Sequence, residues 1–130
     1  MDVFIDANIF LEIALQDAKK EACKQLLTQL PSNSCSTSDF ILYTCLLQLE
    51  KRTHRSQHLK NFLQFIQILS YQILRPSQTE MRRAIEYMTL YQLDFDDALV
   101  VSCMHHNGIK TLLSLDKDFD RVKGIKRIEP

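Results

Sequence analysis

Two rhythms alternate along the chain: short β-prone apolar runs, and longer stretches whose apolar residues recur at helical spacing. Val3-Phe4-Ile5 is an apolar run stopped by Asp6, the pattern of a buried strand. Helical spacing follows over residues 9–15. A second helix is expected from about Asp17, a good capping residue, with Ala22, Cys23, Leu26, Leu27 and Leu30 as its stripe. Pro31-Ser32-Asn33-Ser34 breaks it. Cys35-Ser36-Thr37 is a short strand candidate, and a helix from about Ser38 turns Ile41, Leu42, Cys45, Leu46 and Leu49 inward. Phe62, Phe65, Ile66 and Leu69 mark another helix, and residues 71–74 a strand closed by Arg75-Pro76. Residues 79–90 are amphipathic. Residues 96–107 form a strongly apolar helix, with Gly108 where a helix end favours glycine. Residues 112–115, apolar except for Ser114, and residues 125–128 complete the strand candidates.

Strands separated by helices imply an α/β fold: a three-layer α/β/α sandwich around a central parallel sheet. Ligands of such sheets bind beyond the carboxyl ends of the strands. Asp6 ends the first strand, Asp39 opens the helix after the second, Asp116 follows the fourth, and Asp97 lies in the first turn of the apolar helix. Carboxylates gathered at one edge repel one another unless a cation holds them. Hard oxygen donors select Mg²⁺ or Mn²⁺, which activate water and stabilise the charge of phosphodiester hydrolysis.

Each aspartate also has a plainer reading. Asp6 alone could be a turn residue, and Asp39 a favourable first-turn charge. Asp94, Asp96 and Asp97 all precede or open a helix, where carboxylates cap. Asp116, Asp118 and Asp120 resemble the start of an EF-hand loop, but Arg121 stands at its glycine position and Arg127 at its closing glutamate. Glu50 follows Asp39 by eleven residues, roughly 16 Å along one helix, so the two cannot share a metal centre. Asp39 is nearer the strand end, so Asp6, Asp39, Asp97 and Asp116 are the expected catalytic and metal-binding set, with Glu50 left to the solvated face or a rim contact.

Composition narrows the class. Sixteen basic and sixteen acidic residues cancel, so nucleic-acid binding would need a local basic patch. With two glycines, three prolines and 130 residues, the expectation is one domain over 1–130 without linkers. The four cysteines show no zinc or C-x-x-C spacing, and three sit in apolar helical patterns, which suits a reducing cytoplasm. The first residues carry no basic, apolar leader, and no run would span a membrane.

Asp6-Ala7-Asn8-Ile9-Phe10-Leu11 after an apolar strand resembles the opening of PIN domains. Leu93-Asp94-Phe95-Asp96-Asp97-Ala98 and Leu113-Ser114-Leu115-Asp116-Lys117-Asp118-Phe119-Asp120 resemble their third and fourth motifs, in the expected order. The resemblance implies a Rossmann-like fold, an acidic Mg²⁺/Mn²⁺ site and endoribonuclease activity leaving 5′-phosphate and 3′-hydroxyl ends. It also implies kinship with VapC-type toxins, homodimers held inactive by an antitoxin protein. Asp6, Asp97 and Asp116 match the first, third and fourth acids; Asn8 and Ser114 match the polar residues that support them. Asp94, Asp96 and Asp118 would support the site from farther out. The departure is the second acid: the usual glutamate falls about where Tyr43 and Thr44 stand, and Asp39 is one turn earlier.

Lys51, Arg52, His54, Arg55, His58 and Lys60 make a basic stretch that could meet RNA phosphates or merely offset a helix end. Lys117 and Arg121, flanking the last acidic motif, are the alternative contacts. His105 and His106 lack partners at metal-ligand spacing. A receiver domain would need a lysine after a late strand and a phospho-accepting aspartate on a middle strand. A haloacid-dehalogenase-like phosphatase would need an aspartate at position 8, which is Asn8. The remaining rival is a degenerate PIN module that binds RNA or protein without cleaving.

Overall fold

The computed structural model describes residues 2–130; Met1, part of the N-terminal reading, lies outside them. Five strands run β1 (Val3–Ile5), β2 (Cys35–Ser38), β3 (Gln72–Leu74), β4 (Thr111–Leu113) and β5 (Lys126–Ile128). They form one parallel sheet in the order β3-β2-β1-β4-β5. Between them lie α1 (Ala7–Ala14), α2 (Lys20–Gln29), α3 (Asp39–Thr53), α4 (Ser56–Leu69), α5 (Gln78–Tyr91) and α6 (Phe95–His106). From β1 to β3 the chain steps one way across the sheet, then β3 to β5 steps back. Right-handed crossovers therefore put α1–α4 on one face and α5–α6 on the other. The three-layer α/β/α sandwich expected from the sequence is the architecture found.

Val3, Phe4 and Ile5 are fully buried because β1 is covered on both faces. β2 is buried too, although it reads Cys-Ser-Thr-Ser. Two of its three hydroxyls are used locally: Thr37 Oγ1 donates to the Ile5 carbonyl at 3.0 Å, and Ser38 Oγ accepts from Ile41 N at 3.2 Å as the cap of α3, while the buried Ser36 hydroxyl has no partner. Helix α6 is buried from Ala98 to Met104 on every side, as its all-round apolar composition requires. Ser77 and Glu80 start α5 with a reciprocal capping box.

Several boundaries differ from the sequence reading. Asp6 itself caps α1, so that helix begins at Ala7. The second helix starts at Lys20, and Asp17 does not cap it. Gln16 takes a left-handed conformation, and the Glu12 carboxylate reaches Lys19 N at 3.0 Å, so the entry is fixed from α1. Tyr71 precedes β3 and packs instead against Phe10, with ring centroids 6.5 Å apart. Asn107 caps α6, with Gly108 at positive φ in the next position. β4 stops before Ser114 because Leu115 N turns away to Asn8 Oδ1, at 3.1 Å.

Phe4 sits in β1, between β2 and β4, and has no exposed surface. Phe4→Ala should destabilise the fold by about 3–5 kcal/mol, read as a large drop in Tm or denaturation midpoint. A loss under about 1 kcal/mol would show that the core is not organised around β1.

Candidate active site

The strand order reverses between β1 and β4, the switch point where open α/β sheets bind ligands. Asp6 and Asp116 follow these two strands. Asp6 is only 6% exposed, yet its carboxylate is well supplied with donors. Oδ1 accepts from Ala7 N at 2.8 Å; Oδ2 accepts from Ser114 Oγ at 2.7 Å and Asn8 Nδ2 at 3.2 Å. Asn8 Nδ2 also donates to Ser114 Oγ at 3.2 Å, while Asn8 Oδ1 accepts from Leu115 N. Ser114 Oγ further accepts from Asp116 N at 3.0 Å, and Asp116 Oδ1 from Asp118 N at 2.9 Å. The two motifs read from the sequence thus form one hydrogen-bonded junction across β1 and β4.

Burial pushes the Asp6 carboxyl up from 3.8 to about 6, against the pull of Ser114 and Ala7 and with help from the charges of Asp116 and Asp96. Asp97, in the first turn of α6, is pushed up to about 8 by desolvation and by Asp96, Asp6 and Asp116. Asp6, Asp96, Asp97 and Asp116 therefore stand within one another's fields. Cys45 shares this neighbourhood: burial and the Asp6 charge push its thiol up to about 12, leaving it protonated and inert.

Asp39 opens α3, the helix that follows β2. Its Oδ1 accepts from Phe40 N at 2.7 Å. Where the second acid was sought, Tyr43 is exposed and Thr44 spends its hydroxyl on the Phe40 carbonyl at 2.9 Å. Helix α3 runs unbroken to Thr53, so exposed Glu50 lies about 16 Å from Asp39 along the axis. Asp94 occupies the cap position of α6 without a side-chain bond, while Asp96 Oδ1 accepts from Asp97 N at 2.9 Å.

Among the cations, Lys51 and Arg52 close α3 and Arg55 precedes α4; Arg52 pairs with Asp17 at 3.8 Å. Lys117 is exposed beside Asp116. Arg121 is committed inside the chain, to the Gln92 carbonyl at 2.7 Å and Asp118 at 3.2 Å. The sequence reading missed Arg127. Only 9% exposed, it forks onto Asp120 through Nε (2.9 Å) and Nη2 (3.2 Å) and donates from Nη1 to the Ser114 carbonyl at 3.0 Å. An arginine inside a strand expected to be covered was the available signal.

The oxygen donors at this edge, with Asp6 and Asp97 raised in pKa first by burial and then by neighbouring carboxylates, suit a hard divalent cation. Among the described residues no three His, Cys, Asp or Glu side chains close into a preformed metal cage. The donor set fits an ion of the Mg²⁺ kind, held by one or two carboxylates and completed by water and a substrate oxygen.

The PIN domain family model matches residues 3–125. Comparison of the sequence with curated proteins gives no match. Among solved structures, the sarcin–ricin-loop-cleaving toxin VapC20 of Mycobacterium tuberculosis superposes with a TM-score of 0.83 at 18% identity, over 95% of this chain and 97% of that one. VapBC of Salmonella typhimurium, bound to DNA, gives 0.78 at 15% identity over 99% and 98%. VapBC2 of Rickettsia felis, bound to a promoter fragment, gives 0.73 at 17% over 99% and 98%. At such identities the likeness is one of fold. With the family match spanning nearly the whole sequence, and Asp6, Asp97 and Asp116 gathered at one sheet edge, the chain belongs to the PIN-domain family.

Proposed function

We propose that this protein is a divalent-metal-dependent endoribonuclease that hydrolyses RNA phosphodiester bonds, acting as the toxin of a toxin–antitoxin pair. The observation that carries the reading is the acidic edge, where Asp6, Asp97 and Asp116 share one electrostatic neighbourhood at the switch point of a PIN fold. These three would hold Mg²⁺ or Mn²⁺, with Asp39 at the rim. Bound there, the ion supplies the charge that activates water and offsets the negative charge building on the phosphate. Asn8 and Ser114 orient Asp6; Asp96 deepens the negative field; Asp94 and Asp118 border it. Arg52 and Arg121 have partners within the chain, which leaves Lys51, Arg55 and Lys117 to meet RNA phosphates. Lys51 and Arg55, with His54, line an open hollow of about 690 Å³ at the α3–α4 corner.

The toxin reading draws on structural neighbours that are toxin–antitoxin complexes, and on a trough of mixed lining that α4 forms with α1 and α2. Ile13, Phe62, Phe65, Leu27 and Leu69 line its two adjoining hollows, which meet at Phe65. An antitoxin helix laying its apolar face there is the expected partner. Met81 and Ile85, exposed one turn apart on α5, suit a homodimer contact. Four free, buried cysteines favour a reducing compartment, and we place the protein in the cytoplasm. Among the described residues no helix is long and apolar enough to cross a membrane. One observation favours a second reading, a PIN module that binds without cleaving: Thr44, not an acid, stands near the family's second acidic position.

Cleavage of single-stranded RNA, dependent on Mg²⁺ or Mn²⁺, separates the two readings. Asp6→Asn and Asp97→Asn should each cut turnover by more than about a hundredfold; Asp39→Asn should cost less, and Glu50→Gln almost nothing. Wild-type protein that leaves RNA intact with either metal supports the non-cleaving module. A Glu50 defect larger than that of Asp39 would show that the wrong acid had been assigned.

Stability provides a test independent of cleavage. Asp6 and Asp97 keep their protons in the fold at pH values where the unfolded chain has lost them. Their contribution is full below about pH 4 and is lost as pH rises through about 6 and about 8. The Tm of metal-free protein should therefore fall across this window, and Mn²⁺ at the alkaline end should restore it. Asp97→Asn should flatten the slope. A metal-free profile that rises over the window would contradict the clustered acids.

Light scattering should give the mass of a dimer, and Ile85→Glu should convert it to a monomer without lowering Tm. A wild-type monomer at all working concentrations would remove the homodimer from the reading.

A further inference from the structure

We propose that Arg127, on the last strand, is a positioning residue for the acidic edge: its guanidinium fixes the turn over residues 114–120, and so the placement of Ser114 and Asp116 against Asp6. What the turn serves rests on the nuclease reading above; that Arg127 shapes it rests on geometry alone. The group grips both ends of the turn at once. Nε and Nη2 fork onto the two carboxylate oxygens of Asp120 at 2.9 and 3.2 Å, while Nη1 donates to the Ser114 carbonyl at 3.0 Å. Glu129 Oε2, 3.2 Å from Nη1, steadies the same group from the following residue but one. β5 also holds Ser114 from its other side, since Ser114 N donates to the Ile128 carbonyl at 3.1 Å.

Ser114 is thus pinned through both backbone groups by β5, while its hydroxyl joins Asp6 Oδ2, Asn8 Nδ2 and Asp116 N. A small rotation of the Ser114 peptide would move all three of those bonds. Sites of this kind work only when their supports hold geometry to roughly 0.5 Å. A planar fork can span Asp120 and Ser114 together; a lysine ammonium offers one point of charge and cannot. Stability alone gives little reason for this residue, because an ion pair with a carboxylate as exposed as Asp120 contributes little. What the fork adds is a fixed shape.

The test uses the full chain and the variants Arg127→Lys, Arg127→Met and Asp120→Asn. Amide hydrogen exchange is followed at Leu115, Asp116 and Asp118, whose N–H groups bond Asn8, Ser114 and Asp116 side chains, with Asp6 N bonded to the Leu113 carbonyl as the reference in the sheet. Tm and Mn²⁺ affinity are measured alongside. We expect exchange in the turn to speed up about tenfold relative to the sheet reference, and Mn²⁺ affinity to fall about tenfold, with lysine giving no rescue. Asp120→Asn, which alters the exposed partner, should show the same pattern more weakly and decides the matter if the Arg127 variants fail to fold. Exchange that is unchanged, or that rises equally in the turn and the sheet, would overturn the proposal. So would faster exchange with undiminished Mn²⁺ affinity, or full rescue by lysine. Wild-type protein that binds no Mn²⁺ would end the nuclease reading, and the exchange pattern alone would then judge Arg127.

Discussion

The hydroxyl of Ser114 holds the carboxyl edge together. It has one proton and two lone pairs, and all three are used: it donates to Asp6 and accepts from Asn8 and from the backbone of Asp116. Those partners come from the residue that ends β1 and caps α1, from the first turn of α1 and from the turn after β4. A carboxyl as buried as Asp6 is costly unless its oxygens are met by donors, and the junction meets them. It forms only because β1 and β4 are neighbours, and they are neighbours because the chain fills one side of the sheet before crossing to the other. Sheet order and site chemistry are therefore one constraint seen at two scales.

Electrostatics at this edge then works against the fold. Burial is the chief force raising Asp6 and Asp97, and the like charges of their acidic neighbours add to it. The N-terminus of α6 favours anions in its first turn, which explains why a second acid, Asp96, is tolerated beside Asp97. The edge resembles a half-built ion pair, negative charge organised in advance of a positive partner.

Much of this was legible in the sequence because it is local or periodic. The apolar run ended by Asp6, the all-round apolar α6 and the Ser-x-Asp spacing at 114–116 each constrain structure within a few residues, and the elements appear where those patterns put them. What escaped has non-local causes. Asp17 looked like a cap, but the α2 entry is set by Glu12 from the preceding helix. The strand at 112–115 looked apolar to its end, but Asn8, more than a hundred residues away, diverts Leu115. Arg127 is meaningless until β5 pairs with β4 and brings it to Asp120 and Ser114. For the second acid the family position is occupied by residues without a carboxylate: Tyr43 is exposed and Thr44 turns its hydroxyl to its own helix, while Asp39 opens that helix one turn earlier.

The sheet ends on either side in a strand of three residues, β3 and β5. Each leaves a row of unpaired backbone groups too short to template another chain, and β5 carries Lys126 and Arg127 in that row. A sheet with a strand as apolar as β1 at its centre offers a template for further strands when its margins are long and flat. Here both margins are three residues long, and Lys126 adds an exposed charge to one of them, so the edges give a foreign strand little to pair with.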